Sequence, residues 1–131
     1  MAIIPKNIFL FIIIVVATLF TIAVATPGRA GFYRKEHYVP SVCYGNKPQG
    51  NLIAMSDHLG GEFTCGTLLN VTCTGKVPSP CTGKSVVVKV VDDCPGCGPS
   101  EHVTMDLSED AYGIIANPVV PQGQVSIDYV K

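Results

Sequence analysis

The chain of 131 residues has no tryptophan and only three histidines. Without tryptophan it lacks the broadest aromatic face on which a sugar ring could stack. His37, His58 and His102 are too scattered to argue a metal site and read as surface residues. Charge is sparse as well. Nine basic residues stand against ten acidic, so nothing here attracts nucleic acid or an anionic membrane. No internal repeat or low-complexity tract is present.

What is present begins with an apolar N-terminus. Lys6 precedes an almost wholly apolar run, residues 8–24, and Ala23-Val24-Ala25 satisfies the small-residue rule for cleavage. The pattern predicts a secretory signal over residues 1–25, removed after Ala25. The run is short for a membrane span and its flanking charge lies only before it, so no membrane insertion is expected of the mature chain. Residues 26–131 number 106, which suits one domain and leaves no room for two. Loss of Lys6 leaves eight basic residues against ten acidic, a net charge of −2. The positive mean hydropathy of the whole chain comes from the N-terminal run.

All six cysteines, Cys43, Cys65, Cys73, Cys81, Cys94 and Cys97, fall beyond the cleavage point. An even number in a small secreted domain reads as three disulfides, with about fifteen connectivities open. Each bridge adds ~2–4 kcal/mol, a large share of the ~5–15 kcal/mol that holds a typical fold. Cys94-Pro95-Gly96-Cys97 also has the spacing of a redox or zinc motif. A structural zinc site takes about four ligands. The sequence has no second such pair, and secretion favours a plain cystine.

Glycine and proline recur every few residues of the mature chain, which favours short strands and turns over long helices. Strands are expected at 31–33, 68–73, 85–91 and 124–130, with an apolar run at 51–56 and loops at 34–40 and 76–80. Val86, Val88 and Val90 face one way and Val87, Lys89 and Val91 the other, so this strand is expected to be buried on both faces. Val125, Ile127 and Tyr129 share one face of the last strand. One helix is predicted. Ser108 caps it, Glu109 and Asp110 favour its positive end, and Ala111, Ile114 and Ile115 form its apolar face. Gly113 weakens it and Pro118 bounds it.

Nine short pieces recur in a familiar order: Gly28-Arg29-Ala30-Gly31-Phe32-Tyr33, Ser41-Val42-Cys43-Tyr44-Gly45, Cys65-Gly66, Val71-Thr72-Cys73-Thr74-Gly75, Pro80-Cys81-Thr82-Gly83, Val90-Val91-Asp92-Asp93-Cys94, Asp106-Leu107-Ser108, Ile115-Ala116-Asn117-Pro118 and Ile127-Asp128-Tyr129. In these the chain resembles plant natriuretic peptides and expansin-like secreted proteins, built on a family-45 endoglucanase-like (barwin-like) domain. The resemblance implies a mainly β fold: a six-stranded double-psi β-barrel with one or two short helices and three disulfides. It implies the pairings Cys43–Cys65 and Cys73–Cys81, leaving Cys94–Cys97. It also implies secretion to the apoplast or cell wall. Expansins carry a second, carbohydrate-binding domain, whereas this chain stops at Lys131, which favours the natriuretic-peptide-like branch.

Two acids carry the chemical question. Asp92 ends a buried strand and Asp106 stands just before the helix. An inverting glycosidase sets its acid and base ~6.5–9.5 Å apart, with water between them. The resemblance matches Asp106 to the endoglucanase general acid and Asp92 to a second acid of the expansin groove. With Tyr33 they form the candidate ligand groove. The chain also departs from the pattern. Arg34 follows Phe32-Tyr33 where the catalytic base is expected, Thr104-Met105-Asp106 replaces His-Phe-Asp, and Gly31 replaces a threonine. His102 lies two residues too early to be the missing histidine. No enzyme activity, metal or cofactor is therefore expected. A plainer reading has Asp92 or Asp93 bonding turn amides and Asp106 favouring the helix N-terminus.

Asn70-Val71-Thr72 is a glycosylation sequon. Of Phe32, Tyr33, Tyr38, Tyr44, Phe63, Tyr112 and Tyr129, most are expected in the core, with Tyr38 and Tyr44 the more exposed. The leading expectation is a monomeric, secreted, non-catalytic protein acting on water and ion homeostasis or stress response through an extracellular receptor. The alternatives are non-hydrolytic binding or loosening of wall polysaccharide and weak glycan cleavage with Asp106 as general acid.

Overall fold

The computed structural model describes residues 5–7, 23–57, 59, 62–98, 100–117 and 123–131. Most of the apolar run (8–22), His58 and Pro118 lie outside the described residues. Ala23, Val24 and Ala25 are exposed and belong to no element.

Among the described residues six strands form: β1 (Thr26–Tyr33), β2 (Ile53–Ser56), β3 (Leu68–Cys73), β4 (Ser85–Asp93), β5 (Met105–Ser108) and β6 (Val125–Val130), with a 3-10 turn at Lys35–His37 and a seven-residue helix, α1 (Glu109–Ile115). They close into a barrel in the order β1-β5-β2-β4-β3-β6. The pairs β1/β5 and β2/β4 are parallel and the other four are antiparallel. Closure leaves no unpaired sheet edge. All three expected disulfides are present: Cys43–Cys65, Cys73–Cys81 and Cys94–Cys97.

Alternation along the strands fills the interior. Val86, Val88 and Val90 of β4, Leu69 and Val71 of β3, Met105 and Leu107 of β5 and Ile127 of β6 all belong to one buried cluster. Ala111, Tyr112 and Ile115 of α1 join the same cluster, and Ser108 Oγ accepts the Ala111 N–H as the helix cap. A second cluster lies outside the barrel wall, where Tyr33, Tyr38, Ile53 and Val91 pack with Tyr44 and Met55.

Four expectations change. β1 begins at Thr26, five residues early, because residues 26–30 pair with β6 before the strand turns to β5. Pro27 and Gly28 disguise it, since both residues weaken a strand reading. β5 is a strand the sequence pattern hid: four residues are too few to show alternation, and a helix follows at once. Burial on both faces of β4 holds only at its end, since Val87 is 53% exposed while Val91 is buried in the outer cluster. Tyr38 is buried rather than exposed, because its hydroxyl reaches Asp110 Oδ2 at 2.8 Å and accepts the Asp110 N–H. Tyr44 is half-buried.

Candidate functional site

The outer face of β1, β5, β2 and β4 brings the two acids into one row. Asp106 pairs in register with Gly31 of β1 on one side and Met55 of β2 on the other. Met55 in turn pairs with Asp92 of β4. The row therefore reads Gly31, Asp106, Met55, Asp92. Asp106 and Asp92 stand two strand spacings apart, roughly 10 Å between backbones.

A bulge puts Asp92 there. Ala54 pairs with Val90 and Met55 with Asp92, so Val91 is an extra residue in β4. Val90 points into the barrel, and strict alternation would send Asp92 the same way. The inserted residue turns Asp92 to the outer face, a common use of bulges beside functional sites. No pattern of apolar residues announces it in the sequence.

The two carboxylates differ in what they hold. Asp92 Oδ1 accepts the Val42 N–H and the Asp93 N–H, each at 2.9 Å. That is the turn-amide role, beside the Cys43–Cys65 bridge. Asp106 receives no hydrogen bond among the described residues. Cys94 Sγ lies 3.6 Å from its Oδ2, but the sulfur is bonded to Cys97 and has no proton to give, so this is a contact only. Burial pushes the Asp106 carboxyl above the ordinary carboxylate range. Nor does Asp106 cap α1, since Ser108 does so.

Gly31 makes the space for Asp106. A Cβ at position 31 would stand 2.5 Å from Asp106 Oδ1, so any larger residue there must displace the carboxylate. Two residues on along β1, Tyr33 is 7% exposed, and its hydroxyl has no hydrogen-bond partner among the described residues. Burial, then the charges of Asp92, Tyr38 and Asp106, hold that phenol well above its usual range. Tyr33 thus lies within electrostatic reach of both acids.

The remaining candidates fall elsewhere. Arg34 is exposed and opens the turn before Lys35–His37. His102 is exposed at a left-handed backbone position, φ 56°. With Arg29, Glu62 and Thr104 it lines a separate cleft of about 880 Å³ that does not include Asp92 or Asp106. Asn70 is exposed on β3, and Thr72 of its sequon is hydrogen-bonded to Ser85. Sequence reading missed Met55, which separates the two acids, since nothing but the register singles it out.

Comparison with known proteins agrees with this architecture. Residues 43–129 match the double-psi β-barrel family described as lytic transglycolase. The chain is 46% identical over 121 residues to EG45-like domain containing protein 1 of Arabidopsis thaliana, covering 88% of this chain and 90% of that protein. It is 40% identical over 114 residues to an EG45-like domain containing protein of Citrus jambhiri, covering 82% of each. Expansin-B2 of Arabidopsis thaliana shares 44% identity over 52 residues, 40% of this chain and 18% of that protein.

Proposed function

Since the chain belongs to the expansin-like proteins with a family-45 endoglucanase-like barrel, we propose that it is a secreted, non-hydrolytic protein of the plant cell wall that holds a polysaccharide on the outer face of β1, β5, β2 and β4. One observation carries this reading. Asp106 is a half-buried carboxyl with no hydrogen-bond donor among the described residues, set in an opening that Gly31 keeps clear. Solvent supplies its donors in the free chain, and a ligand that covers it must donate hydrogen bonds in their place. Sugar hydroxyls are suitable donors.

Hydrolysis is disfavoured by the partner. Asp92 has one oxygen committed to two amides, and Arg34 occupies the position after Tyr33 where a base is expected. The signalling reading, an effect on water and ion homeostasis through an extracellular receptor, has no side chain in the groove that specifies it. Glycan cleavage has one observation in its favour, the raised carboxyl of Asp106, which keeps its proton to higher pH as a general acid must.

A pull-down of the purified chain on cellulose, hemicellulose and plant membranes separates the three. The expected result is retention on a polysaccharide, lost in Asp106→Asn while the fold persists, with no reducing sugar released. Retention on membranes alone favours the receptor reading. Reducing sugar that disappears in Asp106→Asn would establish an enzyme.

A further inference from the structure

The turn after β4 gathers another set of atoms around Asp106. Sγ of Cys94, Sγ of Cys97 and a carboxylate oxygen of Asp106 lie within 4.8 Å of one another. The two cysteines are 2% and 5% exposed, packed with Val103 and Met55. Backbone hydrogen bonds hold this turn independently of the cystine. Cys97 N–H donates to Cys94 O at 3.0 Å, Cys94 N–H to Ser56 O at 3.0 Å, and Gly98 N–H to Val103 O at 2.7 Å. Asp106 is fixed from both sides by strand register. Opening the sulfur–sulfur bond therefore leaves two thiols beside a carboxylate that the barrel already positions.

Cysteines with two residues between them are a recurring half of structural zinc sites. The sequence offers no second pair, but the fold supplies a third ligand from β5. We propose that, once a dithiol reduces the Cys94–Cys97 bond, Cys94, Cys97 and Asp106 bind a thiophilic divalent cation of the zinc type, with solvent at the fourth position. In the first step the dithiol gives two electrons and two protons, its own sulfurs join as a disulfide, and the Cys94–Cys97 bond becomes two thiols. In the second the cation displaces both thiol protons to water. Two sulfurs and one oxygen select zinc over calcium or magnesium, which take oxygen ligands. The bridge closes the smallest loop of the three, with a sequence separation of 3 against 8 and 22, so it constrains the unfolded chain least. Its opening is the least disruptive to the fold.

The test starts from the purified chain treated with a stoichiometric dithiol. Alkylation and peptide mapping establish that Cys94 and Cys97 alone are open. Titration with Co²⁺ should then give a thiolate-to-cobalt absorption band that saturates at one ion per chain and is displaced by Zn²⁺. The untreated chain should give no band. Zn²⁺ should also shield both cysteines from alkylation. Asp106→Asn should weaken binding by at least the roughly 10–100-fold that loss of a supporting partner alone costs at metal sites, and the double variant Cys94→Ser, Cys97→Ser should abolish the band. The proposal is overturned if the opened pair gives no band and no shielding, if Asp106→Asn leaves the affinity unchanged, or if the pair opens only when circular dichroism shows the barrel lost.

Discussion

Asp92 and Asp106 are the same residue type on the same outer face, separated by Met55, yet their surroundings have little in common. The Asp92 corner is a joint. Its carboxylate ties the Val42 amide to the end of β4, Cys43 N–H donates to Val91 O nearby, and Gly66 N–H donates to Val90 O. The Cys43–Cys65 bridge clamps the two loops that make these contacts. The Asp106 corner is an opening. Its carboxylate stands against Gly31 and the Cys94–Cys97 cystine, and neither donates a hydrogen bond to it. Resemblance to a catalytic groove treats the two acids as a pair. The contacts divide them into one that supports the wall and one that is left for a partner.

Removing the bridges probes this division most strongly. Replacing Cys43 and Cys65 together by alanine should lower stability by about 3 kcal/mol, and replacing Cys94 and Cys97 by about 2 kcal/mol, from the lengths of the loops they close. Thermal or denaturant unfolding measures both. The first pair should also free the loop carrying Val42 and so disturb Asp92. The second should leave the Asp92 corner unchanged. If the small loop proved the costlier to open, the Asp106 corner would be the structural one and the contrast would invert.

Asp92→Ala is the next largest effect. It removes the charged acceptor of the Val42 and Asp93 amides, which solvent can reach, and should cost roughly 1 kcal/mol. Polysaccharide retention should fall only as far as the folded fraction falls. Retention lost from a fully folded Asp92→Ala chain would place Asp92 in the binding role after all.

Much of this was readable in the sequence, for physical reasons that also mark the limits. The interior faces of β3, β4 and β6 follow from alternating valine, leucine and isoleucine, because a period of two is what a half-buried strand imposes. The helix follows from Ser108 and the spacing of Ala111 and Ile115. The ordered motifs added barrel closure and the three bridges, neither of which follows from periodicity. The row that makes the site was not readable. It depends on a one-residue bulge at Val91 and on β5, a strand of four residues. Both are set by pairing across the barrel, and local sequence carries no trace of pairing. Tyr38 was misplaced for a similar reason: its partner Asp110 lies 72 residues away.

The smallest effect is the sharpest test of the contrast. Burial raises the folded-state carboxyl of Asp106 above its unfolded value, so folding favours the protonated form. That contribution is complete below the ordinary carboxylate range, near pH 4. It is lost as pH rises through the folded value, above which an ionised group sits half-buried without a donor. Asparagine is neutral throughout. Asp106→Asn should therefore match the parent in acid and become slightly more stable than the parent as pH rises toward neutrality, a difference that melting curves across pH would reveal. Asp92→Ala should instead be less stable than the parent, having lost the acceptor of two amides. If Asp106→Asn also destabilised the chain at neutral pH, Asp106 would be a second joint like Asp92, and its lack of donors would no longer argue for a ligand.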